Sequence, residues 1–187
     1  MKGVGRSEIL DYETYEETRP EFRAAVLAEK ARRRIHVGDC LTFLFETPLT
    51  VRYQIQEMVR VERIVRERDI LHEIDTYNAL LGADGELGCS LLVEIDDPDL
   101  RSARLTEWFR LPEHLYVRLA DGTLVRPRFD EAQRGRGRLS SVQYLVFPVA
   151  GQVPVAIGSD FPSFTAETKL TDDQRAALGE DLTPQIA

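Results

Sequence analysis

Apolar and polar positions change period several times along this chain, and the changes mark its expected elements. Ser7 is placed to cap a short acidic helix running through Glu17. Thr18, Arg19 and Pro20 then predict a second helix, because proline suits a first helical turn. It should reach about Arg32 with Phe22, Ala25 and Val26 on one face. Ile35 to Phe45 is rich in β-branched and aromatic residues and predicts a strand, which Pro48 ends. Thr50 is the expected N-cap of the longest helix, VRYQIQEMVRVERIVRER. Asp69 is expected to cap the next, ILHEIDTYNALL, whose apolar stripe is Ile70, Ile74, Tyr77 and Leu81 and whose end is marked by Gly82.

The second half reads differently. Cys89 to Ile95 predicts a strand, and Asp97 followed by Pro98 predicts a helix start, with Leu100, Ala103, Leu105 and Trp108 supporting a short amphipathic helix. HLYVRLADGTLVRPRF predicts a hairpin turning at Asp121-Gly122. SSVQYLVFPV and QVPVAIGS predict further strands, and Thr171 to Gln174 forms a capping box for a final helix. Strands and helices do not alternate as in a doubly wound sheet. The expected class is α+β, a mainly antiparallel sheet with helices packed on one face. The expected organisation is a single domain: a helical part over about 1–82, a sheet-rich part over about 83–170, and a terminal helix over about 171–181.

The longest helix carries an anomaly. At 100° per residue from Val51, Ile55 falls at about 40°, Met58 at about 340°, Val59 at about 80° and Val65 at about 320°. Glu62 falls at about 20°, inside this apolar arc, with Gln54 on its edge at about 300°. A buried carboxylate costs several kcal/mol unless it is paired, protonated or bound. Three readings stay open: an ion pair with a buried arginine such as Arg33 or Arg52, a pocket for a ligand or metal, or a subunit or partner interface. Glu57 lies about 140° from Glu62, so the two form no local acid–base dyad. If a metal were held, Glu46, Glu62 and Glu73 would be its ligands; helix pairs build such sites from carboxylates, but the usual Glu-x-x-His motif is missing.

Composition narrows the function. The 187 residues are 43% hydrophobic and 30% charged, with a formal net charge of −8, which argues against a nucleic-acid partner. No apolar run approaches a membrane span. The N-terminal MKGVGRSEILDYETYEE has no apolar core of a secretory signal, so a cytoplasmic location is expected. Cys40 and Cys89 then read as free thiols, and their distance apart is not legible. His36, His72 and His114 are too scattered for a local metal motif. No P-loop, G-x-G-x-x-G or nucleophile elbow is present, so no cofactor is indicated. Lys30, Arg32, Arg33 and Arg34 read as cations at a helix C-terminus or as an anion or partner patch. Arg134, Arg136 and Arg138 lie in a glycine-containing loop suited to an anion or simply solvated.

The pattern FLFE…T…YQIQEM…R.ER followed by E.D.YN.L resembles a bacterial family of uncharacterised proteins catalogued as a domain of unknown function. The resemblance extends from ETRPEFRAAVLAEKARRRIHVGD to FPSFTAETKLTDDQRAALGEDL and so covers nearly the whole chain. It implies association with genes for rubrerythrin-like diiron proteins and iron–sulfur oxidoreductase subunits, and assigns no catalytic residue. The expectation is a cytosolic accessory or binding protein in redox metabolism, with a protein partner and without evident catalysis of its own. The candidate site is Glu46, Gln54, Glu57, Glu62, Glu73, Tyr77 and Asn78 facing a common cleft, with Arg60 and Arg63 as surface contacts. The alternatives are a metal-dependent enzyme or small-ligand-binding protein with a carboxylate-lined cleft around Glu62, and a homodimer packed through its long helices.

Overall fold

The structure is a computed structural model that describes residues 3–133, 135 and 137–183. Six α-helices and two antiparallel sheets make up the described residues, an α+β fold. In chain order these are α1 (Tyr12–Arg33), β1 (Arg34–Val37), β2 (Leu41–Phe45), α2 (Pro48–Val61), α3 (Glu67–Asn78) and β3 (Leu87–Val93). There follow α4 (Pro98–Glu107), α5 (Leu111–His114), β4 (Leu115–Arg118), β5 (Leu124–Val125), β6 (Arg128–Phe129), β7 (Val142–Phe147), β8 (Ala156–Phe161), β9 (Phe164–Lys169) and α6 (Asp172–Leu182). One sheet has the order β1-β2-β3-β7-β6, the other β5-β4-β8-β9.

The five-stranded sheet is covered on both sides, so β2 is buried at every position rather than at alternate ones. Leu41, Phe43 and Phe45 point into the main core, shared with Leu115, Val117 and Ile157 of the other sheet and with Leu178 of α6. Thr42 and Leu44 face the opposite way, toward the helices. A second core joins Val51, Ile55 and Val59 of α2 to Ile70 and Ile74 of α3 and to Val4 and Ile9 of the N-terminal segment. The apolar arc of α2 is thus covered within the chain.

Several expected boundaries move. The two N-terminal helices are one, α1, capped by Asp11, with Pro20 inside it. Proline in a helix interior loses one backbone hydrogen bond, but Tyr15 and Arg19 before it both bond to Glu57 of α2 and Val26 after it is buried, so packing holds the helix through. Ile35 to Phe45 is a hairpin, with Gly38 in the left-handed region (φ 59°) at the turn. Thr47, not Thr50, caps α2; Thr50 is the reciprocal partner in its capping box. The caps at Asp97 and Thr171 and the hairpin at Asp121-Gly122 are where the pattern places them.

Candidate functional site

The register across the larger sheet aligns Arg34, Leu44, Ser90 and Tyr144 on neighbouring strands. This row faces α2 and α3, and between sheet and helices lies a cleft of about 290 Å³. Leu44, Val51, Leu80, Leu92 and Val142 supply apolar walls. Glu46 sits on the floor, buried, where β2 ends and the turn into α2 begins. Its carboxylate accepts from Ser90 Oγ at 2.5 Å and from Thr50 Oγ1 at 2.6 Å. No cation pairs with it within 4.0 Å among the described residues, so two neutral hydroxyls satisfy this anion.

Gln54, Tyr77, Tyr144, Lys30 and Arg34 complete the lining. Gln54 amide and both phenol hydroxyls make no hydrogen bond among the described residues, and Lys30 and Arg34 have no carboxylate partner there. Lys30 Nζ lies over the Tyr53 ring, 5.4 Å from its centroid. Burial raises the Tyr144 hydroxyl pKa, and the nearby Tyr77 and Glu46 add to the rise, so the phenol stays protonated and able to donate. Tyr77, Leu80 and Tyr144 also line a second, more apolar groove of about 490 Å³ that runs between α3 and the β6–β7 pair. The two compartments share a wall.

Of the expected site residues, Glu46, Gln54 and Tyr77 come together in this cleft. The others do not join them. Glu57 points to the seam between α1 and α2, where Arg19 binds both of its oxygens at 2.7 and 3.1 Å and Tyr15 donates at 2.8 Å. Arg60 reaches the same carboxylate at 3.2 Å, and Glu16 at 3.5 Å, and is therefore an internal tie. Burial pushes the Glu57 carboxyl up, but the hydrogen bonds from Arg19 and Tyr15 outweigh it and hold its pKa at about 2. Asn78 spends its amide on Val4, accepting from its N–H at 2.8 Å and donating to its carbonyl at 2.9 Å.

Glu62 is exposed, which corrects the buried anomaly expected of it. The helix ends at Val61, and Arg63 adopts a left-handed conformation (φ 49°). Ile64 N–H then bonds back to Val59 O at 3.0 Å and Arg63 N–H to Arg60 O at 3.4 Å, a Schellman closure. A wheel drawn past this point assigns Glu62 and Val65 to a face that no longer exists; Val65 is 73% exposed. Neither expected arginine pairs with Glu62: Arg33 binds Asp181, and Arg52 stacks over Phe22. Glu62, Arg63 and Glu73 line a surface depression at the α2–α3 turn, apart from the cleft that holds Glu46. The carboxylate set Glu46, Glu62 and Glu73 therefore does not converge, and no group of three potential metal ligands occurs among the described residues.

The basic cluster at the end of α1 divides. Arg32 pairs with Asp173 and Glu180 and Arg33 with Asp181, tying α1 to α6, whereas Lys30 and Arg34 turn to the cleft. Arg134 and Arg136 lie outside the described residues. Cys89 pairs with Phe45 and Cys40 lies beyond the other end of β2, roughly 16 Å of strand away, so the two free thiols are not a redox pair. Ser90, Thr50 and Tyr144 carry no local signal that assigns them to the cleft, and the basic cluster does not show that Lys30 and Arg34 are its members that turn there. The alternation in VQYLVF does put Tyr144 on the polar face of its strand, but only the register brings it beside Ser90. Among the described residues, no helix is long and apolar enough to cross a membrane.

Comparison with known proteins agrees on fold and family and supplies no activity. A crystal structure of a novel protein of unknown function from Burkholderia pseudomallei K96243 superposes with a TM-score of 0.89 at 30% identity, covering 97% of this chain and 100% of that one. No curated protein matches the sequence. The model of the family described as protein of unknown function (DUF3501) matches residues 3–182, and the chain belongs to that family.

Proposed function

We propose that this chain binds a small organic molecule in the cleft between the five-stranded sheet and helices α2 and α3, as an accessory rather than a catalyst. One observation carries this reading. Side chains of α1, α2, α3 and β7 whose polar groups have no hydrogen-bond or carboxylate partner among the described residues converge on a single apolar-walled cavity, the composition of ligand sites in general. Glu46, fixed by Ser90 and Thr50, is a preorganised acceptor on its floor.

The test is thermal unfolding against a panel of small carboxylates, amines and neutral aromatics. It compares the protein with Val142→Trp, which fills the cleft. A compound that raises the unfolding midpoint of the unsubstituted protein and not of the variant supports the reading. No stabilising compound, or equal shifts in both proteins, overturns it.

The setting we propose is the bacterial cytoplasm, beside rubrerythrin-like and iron–sulfur oxidoreductase proteins and in contact with one of them. The resemblance of the FLFE…YQIQEM motif supports that setting. Deleting the gene should sensitise cells to peroxide. Unchanged sensitivity would remove the redox setting and leave ligand binding in place.

A further inference from the structure

The two compartments of the cleft differ in chemistry, and the difference defines a ligand. In the groove along β6 and β7, the walls are Ala79, Leu80, Phe129 and Val146, and the Arg128 and Gln133 side chains are already engaged. Arg128 binds both oxygens of Glu86 at 2.7 and 2.8 Å, and Gln133 exchanges hydrogen bonds with the Tyr144 backbone at 2.6 and 3.1 Å. This compartment offers an occupant apolar surface. In the other, Lys30 and Arg34 stand without carboxylate partners, and Gln54, Tyr77 and Tyr144 present unengaged polar groups. Glu46 is held on the floor by the hydroxyls of Ser90 and Thr50. Two cations against one carboxylate leave this compartment formally positive in a chain whose net charge is −8. Local charge of the opposite sign to the whole is what holds an anion in place.

Resting on the ligand-binding reading above, we propose that the occupant is an anionic amphiphile. Its carboxylate meets Lys30 and Arg34 at the rim, and its hydrocarbon body passes Tyr77, Leu80 and Tyr144 into the β6–β7 groove. Tyr77, Leu80 and Tyr144 line both compartments, so a body laid along these three residues reaches from one to the other. The compartments, about 290 and 490 Å³, together lie within the size range of sites for small organic ligands.

Calorimetric titration of the full chain tests it with three probes: decanoate below its micelle concentration, decanamide and acetate. Decanoate should bind saturably at one site. Decanamide lacks the charge and acetate lacks the body, so each should bind more weakly by about tenfold or more. The Lys30→Gln/Arg34→Gln double variant should weaken decanoate by a similar factor and leave decanamide unchanged. Val146→Trp should weaken both ten-carbon probes. Absent decanoate binding, equal affinity for decanoate and decanamide, or undiminished decanoate binding in the double variant would overturn the proposal. If a neutral or cationic compound from the panel is still blocked by Val142→Trp, the site stands and only its anionic occupant fails. If Val142→Trp affects no compound, both fail.

Discussion

Gln56 Oε1 accepts from the Leu10 N–H at 2.6 Å, and Gln56 Nε2 donates to the Leu10 carbonyl at 3.2 Å. One side chain of α2 thus satisfies both polar groups of Leu10. Asn78 of α3 does the same for Val4. These two amide clamps hold the N-terminal segment over the second core, where Val4 and Ile9 cover α2 and α3. Gln56, 1% exposed, is a buried polar side chain that the α2 pattern conceals, whereas Glu62 is the one it advertises.

Replacing Gln56 with leucine keeps the volume and removes both bonds. The part-buried Leu10 N–H and carbonyl are left without partners, at a cost of about 1–3 kcal/mol. Denaturant titration of Gln56→Leu should show that loss, and an unchanged midpoint would refute the clamp.

Glu57 sets an acid limit on stability. Its folded pKa of about 2 lies below the ordinary 4.5. A lowered folded pKa stabilises above the unfolded value, and that contribution is lost as pH falls from 4.5 toward 2. The stability of the protein should therefore decline more steeply over this window than that of Glu57→Gln, which has no proton to take up. Parallel acid limbs in the two proteins would show that Arg19, Tyr15 and Arg60 do not hold the charge.

The α2 terminus gives two linked expectations. A non-glycine residue in the left-handed region carries a penalty of roughly 1 kcal/mol, so Arg63→Gly should stabilise by up to about that amount. Glu62→Gln should change stability by no more than about 0.5 kcal/mol, because the side chain is exposed. A loss of several kcal/mol in Glu62→Gln would restore a buried role for that carboxylate.

Gly88 of β3 lies directly under the end of α3. A Cβ there would stand 1.8 Å from Leu80 O and 3.0 Å from Gly82 N, backbone atoms that no rotamer change can move. Gly88→Ala should cost about 1–3 kcal/mol or more by pushing α3 off the sheet. Because Leu80 belongs to the wall shared by both compartments, the same variant should weaken decanoate binding. Full stability in chemical denaturation would contradict the close approach.

Local signals in the chain determined a good deal by themselves. Asp97-Pro98, Thr171 to Gln174 and Asp121-Gly122 set their caps and turn from neighbouring residues, because a cap or a tight turn is satisfied within four positions. The period of the apolar residues was enough for an antiparallel α+β class and for the core faces of Val51, Ile55 and Val59. Tertiary structure decided the rest. Pro20 remains inside α1 because Glu57, about forty residues on, binds on one side of it. Arg63 ends α2 without the glycine that would have announced it. The cleft itself exists only through register: Arg34, Leu44, Ser90 and Tyr144 share a row because four strands pair in one alignment, and a one-residue slip would turn each strand's side chains to the opposite face.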